Sequence, residues 1–114
     1  NNSGNHYRDF TYIKDVVIIL RKLISLKVKN KYEILNICSS RPVFLKKFIK
    51  ISEKYLKKIN IVNVPLHQAD VYKTHGSNTK LLKLIKKIKF TNLNTAIKNT
   101  IVSYKKDKIY NQKN

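Results

Sequence analysis

Hydrophobic positions recur at helical spacing in four stretches of the chain, and each stretch predicts one helix. The stretches are residues 11–26, 42–57, 77–88 and 91–104. Pro42 is suited to the first turn of the second helix, where a missing N–H costs nothing. Ser77, Asn78 and Thr79 precede the third apolar face, and Thr91 and Asn92 precede the fourth; side chains of these types cap helix starts. The predicted apolar faces carry Val16, Ile19, Leu20, Leu23 and Ile24; Leu45, Phe48, Ile49 and Leu56; Leu81, Leu84, Ile85 and Ile88; and Leu93, Ala96, Ile97, Thr100, Ile101 and Tyr104.

Two shorter apolar segments predict buried strands between these helices. Residues 32–38 read Y-E-I-L-N-I-C, and residues 59–64 read I-N-I-V-N-V and end at Pro65. Two strands do not form a stable sheet by themselves, so we expect their partner strands to lie outside this chain. The predicted fold is therefore an α/β (α+β) fragment in the order helix, strand, helix, strand, helix, helix.

The domain organisation predicted from this pattern is a single partial domain. Residues 1–104 show no repeat and no linker, and residues 105–114 form a charged tail that we expect to fray. The chain starts at Asn1 and contains no Met, so we expect a segment of a longer protein. The longest apolar run, residues 16–20, is too short to cross a bilayer. We therefore predict a cytoplasmic protein without a membrane partner.

A net charge of +19 is the most unusual feature of the composition. Such a charge favours an anionic partner, and a small basic nucleic-acid-binding domain is one interpretation. However, Arg8, Arg21 and Arg41 are the only arginines among 25 basic residues, and lysines occur on every predicted helix. Nucleic-acid readers favour Arg, so compositional drift is the preferred explanation, and we expect no specific nucleic-acid partner.

Cysteine and histidine usage limits the possible site chemistry. Cys38 is the only cysteine, so it cannot form an intramolecular disulfide, and its apolar neighbours predict a small core residue rather than a catalytic thiol. The three histidines lack a metal-ligand spacing, and we predict no metal site. We expect His6 and His75 to lie on the surface.

Several motifs occur along the chain in a fixed order. Residues 8–15 read R-D-F-T-Y-I-K-D and follow a glycine-containing turn at residues 2–5. Y-E-I-L-N-I at 32–37, R-P-V at 41–43, P-L-H-Q-A-D-V at 65–71, N-T-K-L at 78–81 and T-N-L at 91–93 come next. Together they resemble the C-terminal part of the NAD-dependent epimerase/dehydratases of the extended short-chain dehydrogenase/reductase family, with UDP-glucuronate 4-epimerase as the nearest branch. Departures from the family pattern at Lys14, residues 38–39, Ala69 and residues 86–89 leave the identity of the sugar open.

The resemblance implies that the chain is the substrate-binding lobe, and it assigns roles to four residues. Arg8 is expected to contact a diphosphate and Asp70 to accept hydrogen bonds from ribose hydroxyls. His67 stands where the family reaches a phosphate, and Asn2 belongs to a turn that offers backbone groups to the base. The alternatives are an Arg8 paired with Asp9 or another carboxylate, an Asp70 that caps local backbone and a His67 that is an ordinary surface residue.

The catalytic parts of such an enzyme are expected elsewhere. The chain has no G-x-x-G-x-x-G loop for a dinucleotide, and its Y-x-x-x-K spacing at 104–108 falls in the tail, where we regard it as chance. The resemblance implies a full-length homodimeric enzyme that uses NAD, bound upstream, to invert C4 of a nucleotide-sugar such as UDP-glucuronate or UDP-glucose. The chain alone is expected to be inactive, and a degenerate gene product without activity is a third interpretation.

Overall fold

A computed structural model describes residues 2–27, 32–56, 59–86 and 88–111 of the chain. Within these ranges the protein is a small mixed α/β structure with four α-helices and a two-stranded antiparallel sheet. A short 3-10 turn, Asn2–Gly4, comes first. The elements that follow are β1 (Tyr7–Arg8), α1 (Ile13–Ile24), β2 (Val43–Phe44), α2 (Leu45–Glu53), α3 (Thr79–Leu84) and α4 (Leu93–Asn111).

All four predicted helices are present. However, α2 begins at Leu45, so Pro42 lies before β2 and not in the first turn of a helix, and the Asn78 side chain makes no cap hydrogen bond at α3.

The core cluster contains Ile19 from α1, Leu81 from α3, and Ile85 and Phe90 from the segment after α3, whereas α2 packs against α4. Burial of each such side chain contributes about 1.5–3 kcal/mol. At the start of α4 the Asn92 side chain accepts a hydrogen bond from the backbone N–H of Thr95 at 2.9 Å. This helix continues to Asn111, into the segment predicted as a tail.

The prediction of strands at residues 32–38 and 59–64 is wrong. Neither residues 32–38 nor residues 59–64, all of them described, belong to a strand, and the ladder forms between β1 and β2 instead. Along 32–37 the side chains nevertheless alternate between exposed and partly buried, as in a strand with one face on a core. Leu35 and Ile37 pack on the core, whereas Tyr32 and Ile34 remain exposed. A strand requires a hydrogen-bonded neighbouring strand. The apolar composition of residues 32–38 predicts a buried segment but does not show whether such a neighbour exists.

The sheet is short, but it fixes the position of the N-terminal motif. Tyr7 pairs with Phe44, and Arg8 pairs with Val43. Tyr7 also forms a parallel bridge to Lys73 on its other side. β1 is therefore held between β2 and the loop at residues 70–74. None of the helices among the described residues is both long and apolar enough to span a lipid bilayer.

Candidate functional site around Arg8 and Asp70

The backbone of β1 brings two distant parts of the sequence together. The N–H of Tyr7 donates to the carbonyl of Tyr72 at 3.0 Å, and the N–H of Thr74 donates to the carbonyl of Tyr7 at 3.1 Å. A turn precedes this contact, in which the N–H of Asp70 donates to the carbonyl of His67 at 2.9 Å. The turn therefore delivers the Asp70 side chain to the end of β1.

Arg8 and Asp70 form a direct ion pair there. Arg8 Nη2 lies 2.5 Å from Asp70 Oδ1, and the two side chains are 23% and 24% exposed. Arg8 Nη1 donates to the carbonyl of Tyr7 at 2.9 Å and to that of Tyr72 at 3.3 Å. Two residues predicted to hold one ligand thus converge. The carboxylate that pairs with Arg8 is Asp70 and not its sequence neighbour Asp9.

His6 is part of the same cluster, and the expectation that it lies on the surface is wrong. The residue is 1% exposed, and its Nε2 lies 3.7 Å from Asp70 Oδ2. That distance is too long for a hydrogen bond, and Nε2 has no hydrogen-bond partner among the described residues. A buried polar atom in this state costs about 1–3 kcal/mol. We call His6, Arg8 and Asp70 the Arg8 cluster.

One sequence signal could have identified His6. It stands two residues before Arg8, and residues at that spacing share a face of an extended segment. The carbonyl of His6 accepts a hydrogen bond from the N–H of Leu45 at 2.8 Å, so the extended backbone includes this position. The burial of His6 was not predicted, because the polar residues 1–5 indicated a solvated loop.

The other two predicted ligand residues are His67 and Asn2. His67 is exposed, and its ring Nδ1 accepts a hydrogen bond from the N–H of Ala69 at 3.2 Å. Its observed contacts therefore serve the local turn. Asn2 begins the 3-10 turn, and its side chain lies outside the described part of the chain. Its predicted contact with a base stays a prediction.

The Asp9 carboxylate is held by two loops of the chain, the one before β2 and the one before α3. Its carboxylate accepts hydrogen bonds from Ser39 Oγ at 2.6 Å, Gly76 N at 3.0 Å and Arg41 N at 3.3 Å. Burial by itself would raise the pKa of Asp9, but these three hydrogen bonds outweigh it, and the pKa lies below its ordinary value. We call this set the Asp9 junction, because it ties β1 to the loops that precede β2 and α3.

Asp15 likewise joins distant segments. It is 6% exposed in the first turn of α1. Its carboxylate accepts hydrogen bonds from the N–H of Thr91 at 2.9 Å and from Thr91 Oγ1 at 2.7 Å. The pair fixes the entrance of α4 against α1.

Cys38 lies beside the Asp9 junction, where its surroundings suppress its reactivity. Burial raises the pKa of the thiol, and the nearby Asp9 charge raises it further. A Cβ placed on Gly76 would lie 2.5 Å from Cys38 Sγ, so any larger residue at position 76 would force one of the two segments to shift. Cys38 is half-buried and is not part of the core cluster, so it packs against the neighbouring loop and is not the core residue that was predicted.

A pocket of about 610 Å³ lies elsewhere, between α2, α4 and the start of α1. Its lining is mostly apolar, and Phe10 stacks on Phe48 there with ring centroids 4.3 Å apart. The residues of the Arg8 cluster do not line it. A ligand held by Arg8 would therefore bind at the edge of the sheet and not in this pocket.

One relative is similar to much of the chain. An uncharacterized protein of Methanocaldococcus jannaschii is 45% identical over 86 residues, which cover 74% of this chain and 26% of that protein. The chain thus spans about a quarter of the relative's length. No protein-family profile matches the chain, and no solved structure matches it. The name of the relative assigns no activity, so any proposal of function depends on the motifs and on the Arg8 cluster.

Proposed function

We propose that the chain is the nucleotide-sugar-binding lobe of an NAD-dependent epimerase of the extended short-chain dehydrogenase/reductase type. Arg8 binds the diphosphate, and Asp70 accepts hydrogen bonds from the ribose. The substrate class is a UDP-sugar, with UDP-glucuronate first and UDP-glucose second. The lobe contributes binding, whereas the remainder of the full-length protein contributes the chemistry.

The observation that carries this proposal is the convergence of Arg8 and Asp70 across 62 positions of sequence. A guanidinium offers five N–H donors in a planar fork, which matches the oxygens of a diphosphate. The two carbonyls that accept from Nη1 hold the plane of this fork in place. A carboxylate beside the fork supplies the acceptor that hydroxyl groups need.

Two further facts support a lobe rather than a complete enzyme. The chain corresponds to 26% of its relative, as one part of a longer protein would. Its only glycines are Gly4 and Gly76, too few for the three-glycine loop that cradles a dinucleotide. In the full-length enzyme NAD would supply the hydride acceptor for the sugar, and this lobe would hold the nucleotide while the sugar reorients.

Ligand binding to the 114-residue chain tests the proposal directly. The ¹⁵N-labelled protein is titrated with UDP, UDP-glucuronate, uridine and inorganic pyrophosphate at fixed ionic strength. We expect UDP and UDP-glucuronate to perturb the amide resonances of residues 6–9 and 70–74. Arg8→Gln should weaken UDP binding by about tenfold or more, the effect of one lost charge-assisted contact.

Arg21→Gln is the matched control, because Arg21 is exposed on α1 and the substitution removes the same charge. An equal loss of UDP affinity in both variants would show diffuse attraction to a basic protein and contradict the proposal. Tight binding of duplex DNA with a steep salt dependence, shared among many lysines, would favour the nucleic-acid alternative instead.

The reaction itself is tested in the full-length protein that carries this lobe. Incubation with UDP-glucuronate and NAD should convert part of the substrate to its C4 epimer, detected by chromatography. Arg8→Gln in that protein should raise KM, because the diphosphate contact exists before and during the reaction. If UDP-glucuronate binds but is recovered without inversion at C4, the result would contradict the epimerase assignment and would not affect the proposed binding role.

A further inference from the structure

An exposed tyrosine lies directly beside the Arg8 cluster. Tyr72 is 59% exposed, although β1 holds its backbone in place. The Tyr72 carbonyl accepts one hydrogen bond from the N–H of Tyr7 at 3.0 Å and one from Arg8 Nη1 at 3.3 Å. The backbone that carries the phenol ring is therefore fixed next to the guanidinium.

The buried His6 ring links Tyr72 to the carboxylate of the cluster. His6 Nε2 lies 3.7 Å from Asp70 Oδ2, and the ring centroids of His6 and Tyr72 are 6.3 Å apart. The phenol ring and the carboxylate are thus neighbours of the same imidazole. Arg8, Asp70 and Tyr72 therefore lie close enough together for one nucleotide to contact all three.

Two further rings support Tyr72 from the side of the sheet. Tyr7 meets it edge-on, with ring centroids 6.1 Å apart and an interplanar angle of 63°. Tyr7 in turn packs on Phe44, with centroids 5.2 Å apart. Edge-to-face packing is a favourable arrangement of aromatic rings. It restrains the Tyr72 ring and still leaves more than half of the residue open to a ligand.

A nucleobase is the part of the proposed ligand that such a ring suits. The diphosphate and the ribose are polar, and the guanidinium and the carboxylate match them. The base instead presents two flat faces, which stack on aromatic side chains. The loss of one such stack weakens binding by about tenfold or more.

We propose that Tyr72 forms the base subsite of the nucleotide site: the uracil ring of a bound uridine diphosphate stacks on the exposed phenol ring while Arg8 contacts the diphosphate. The inference rests on the proposed function, because Arg8 and Asp70 place the rest of the nucleotide. Stacking does not distinguish one base from another, since every base has a flat face. Tyr72 therefore contributes affinity for a nucleotide over a bare diphosphate.

Spectra of the wild-type chain with UDP test the stack directly. Stacking brings the uracil H5 and H6 protons over the phenol ring, so we expect nuclear Overhauser contacts between these protons and the Tyr72 ring protons. The uracil resonances should also move upfield as UDP binds. Tyr104, which is 63% exposed on α4, is the internal reference, and its ring should show no such contact.

Substitutions measure the contribution of the ring to affinity. Tyr72→Ala should weaken UDP binding about tenfold and leave the affinity for inorganic pyrophosphate within about twofold of wild type, because pyrophosphate has no base. Tyr72→Phe keeps the ring and should bind UDP within about twofold of wild type. Tyr104→Ala removes a tyrosine of similar exposure, so it is the matched control and should leave UDP binding unchanged.

The outcomes separate the base subsite from the proposed function. If UDP binding depends on Arg8 but Tyr72→Ala binds UDP as tightly as wild type, the base subsite is overturned and the function stands. Equal losses of UDP and pyrophosphate affinity in Tyr72→Ala would show that the substitution disturbs Arg8, and they would also overturn the base subsite. Absence of any UDP effect at residues 6–9 and 70–74 would overturn both proposals. If Tyr72→Ala fails to fold, the nuclear Overhauser contacts of the wild-type chain decide.

Discussion

The Asp9 junction and the Arg8 cluster lie next to each other on β1, yet they treat their carboxylates differently. Asp9 receives three hydrogen bonds from two loops, and the set lowers its pKa. Asp70 lies beside two ionisable side chains instead: its Oδ1 is 2.5 Å from Arg8 Nη2, and its Oδ2 is 3.7 Å from Nε2 of the buried His6. The first carboxylate is saturated by its own chain. The Asp70 carboxylate lies near both a guanidinium and an imidazole.

Under the proposed function, this difference separates a structural role for Asp9 from a binding role for Asp70. The Asp9 carboxylate already accepts hydrogen bonds from two backbone N–H groups and a hydroxyl. It therefore holds loops in place and has little remaining capacity to accept hydrogen bonds from a ligand. A cluster that leaves a buried ring nitrogen without a partner carries a free-energy cost that ligand binding can relieve. Substitutions on the structural side should therefore reduce stability, and those in the Arg8 cluster should mainly reduce binding.

The largest expected loss of stability is at Asp15, which fixes the entrance of α4. Asp15→Ala removes two hydrogen bonds to an ionised group and leaves the Thr91 N–H without its acceptor. The free energy of unfolding in urea should fall by about 3 kcal/mol. Asp107→Ala, at an exposed position of α4, is the control and should change it by less than about 0.5 kcal/mol. Equal losses in the two variants would contradict a structural role for Asp15.

The next largest effect concerns the close approach beside the Asp9 junction. In Gly76→Ala the new Cβ would lie 2.5 Å from Cys38 Sγ, and the forced shift should lower the free energy of unfolding by about 2 kcal/mol. The double variant with Cys38→Ala removes the sulfur and should recover most of that loss. A double variant no more stable than Gly76→Ala alone would locate the cause elsewhere.

Helix positions followed from the sequence, because apolar spacing acts within one element. As predicted, the core contains Ile19 of α1, Leu81 of α3 and Ile85, which follows α3. Strands depend on partners far along the chain, and apolar residues at 32–38 could not reveal whether such a partner exists. In the candidate site, the motif resemblance selected Arg8 and Asp70, which the fold brings together. His6 was missed because the polar residues 1–5 indicated a solvated loop, whereas its contacts with Asp70 and Tyr72 come from far along the chain.

Acid should expose the contribution of Asp9. Its folded-state pKa lies below the ordinary 3.8, so its stabilisation is complete well above pH 3.8 and is lost as the pH falls through the lowered value. At pH 7, Asp9→Asn should cost about 1 kcal/mol, since the amide keeps only one acceptor oxygen. The difference between the two proteins should shrink in urea titrations recorded at progressively lower pH, from 5 down to about 2.5. A difference that stays constant over this range would exclude a charge-dependent role.

The smallest loss of stability should come from Arg8, which completes the contrast with Asp15. Arg8→Gln breaks an ion pair whose side chains are about a quarter exposed, and such pairs contribute about 1 kcal/mol or less. Urea unfolding of Arg8→Gln and Arg21→Gln should therefore differ by no more than this, while their affinities for UDP differ by about tenfold. If Arg8 had only a structural role, Arg8→Gln would strongly lower the free energy of unfolding and leave UDP binding unchanged. If Arg8→Gln destabilises the chain as much as Asp15→Ala does, the ion pair is a structural joint like that of Asp15, and the binding role assigned to it fails.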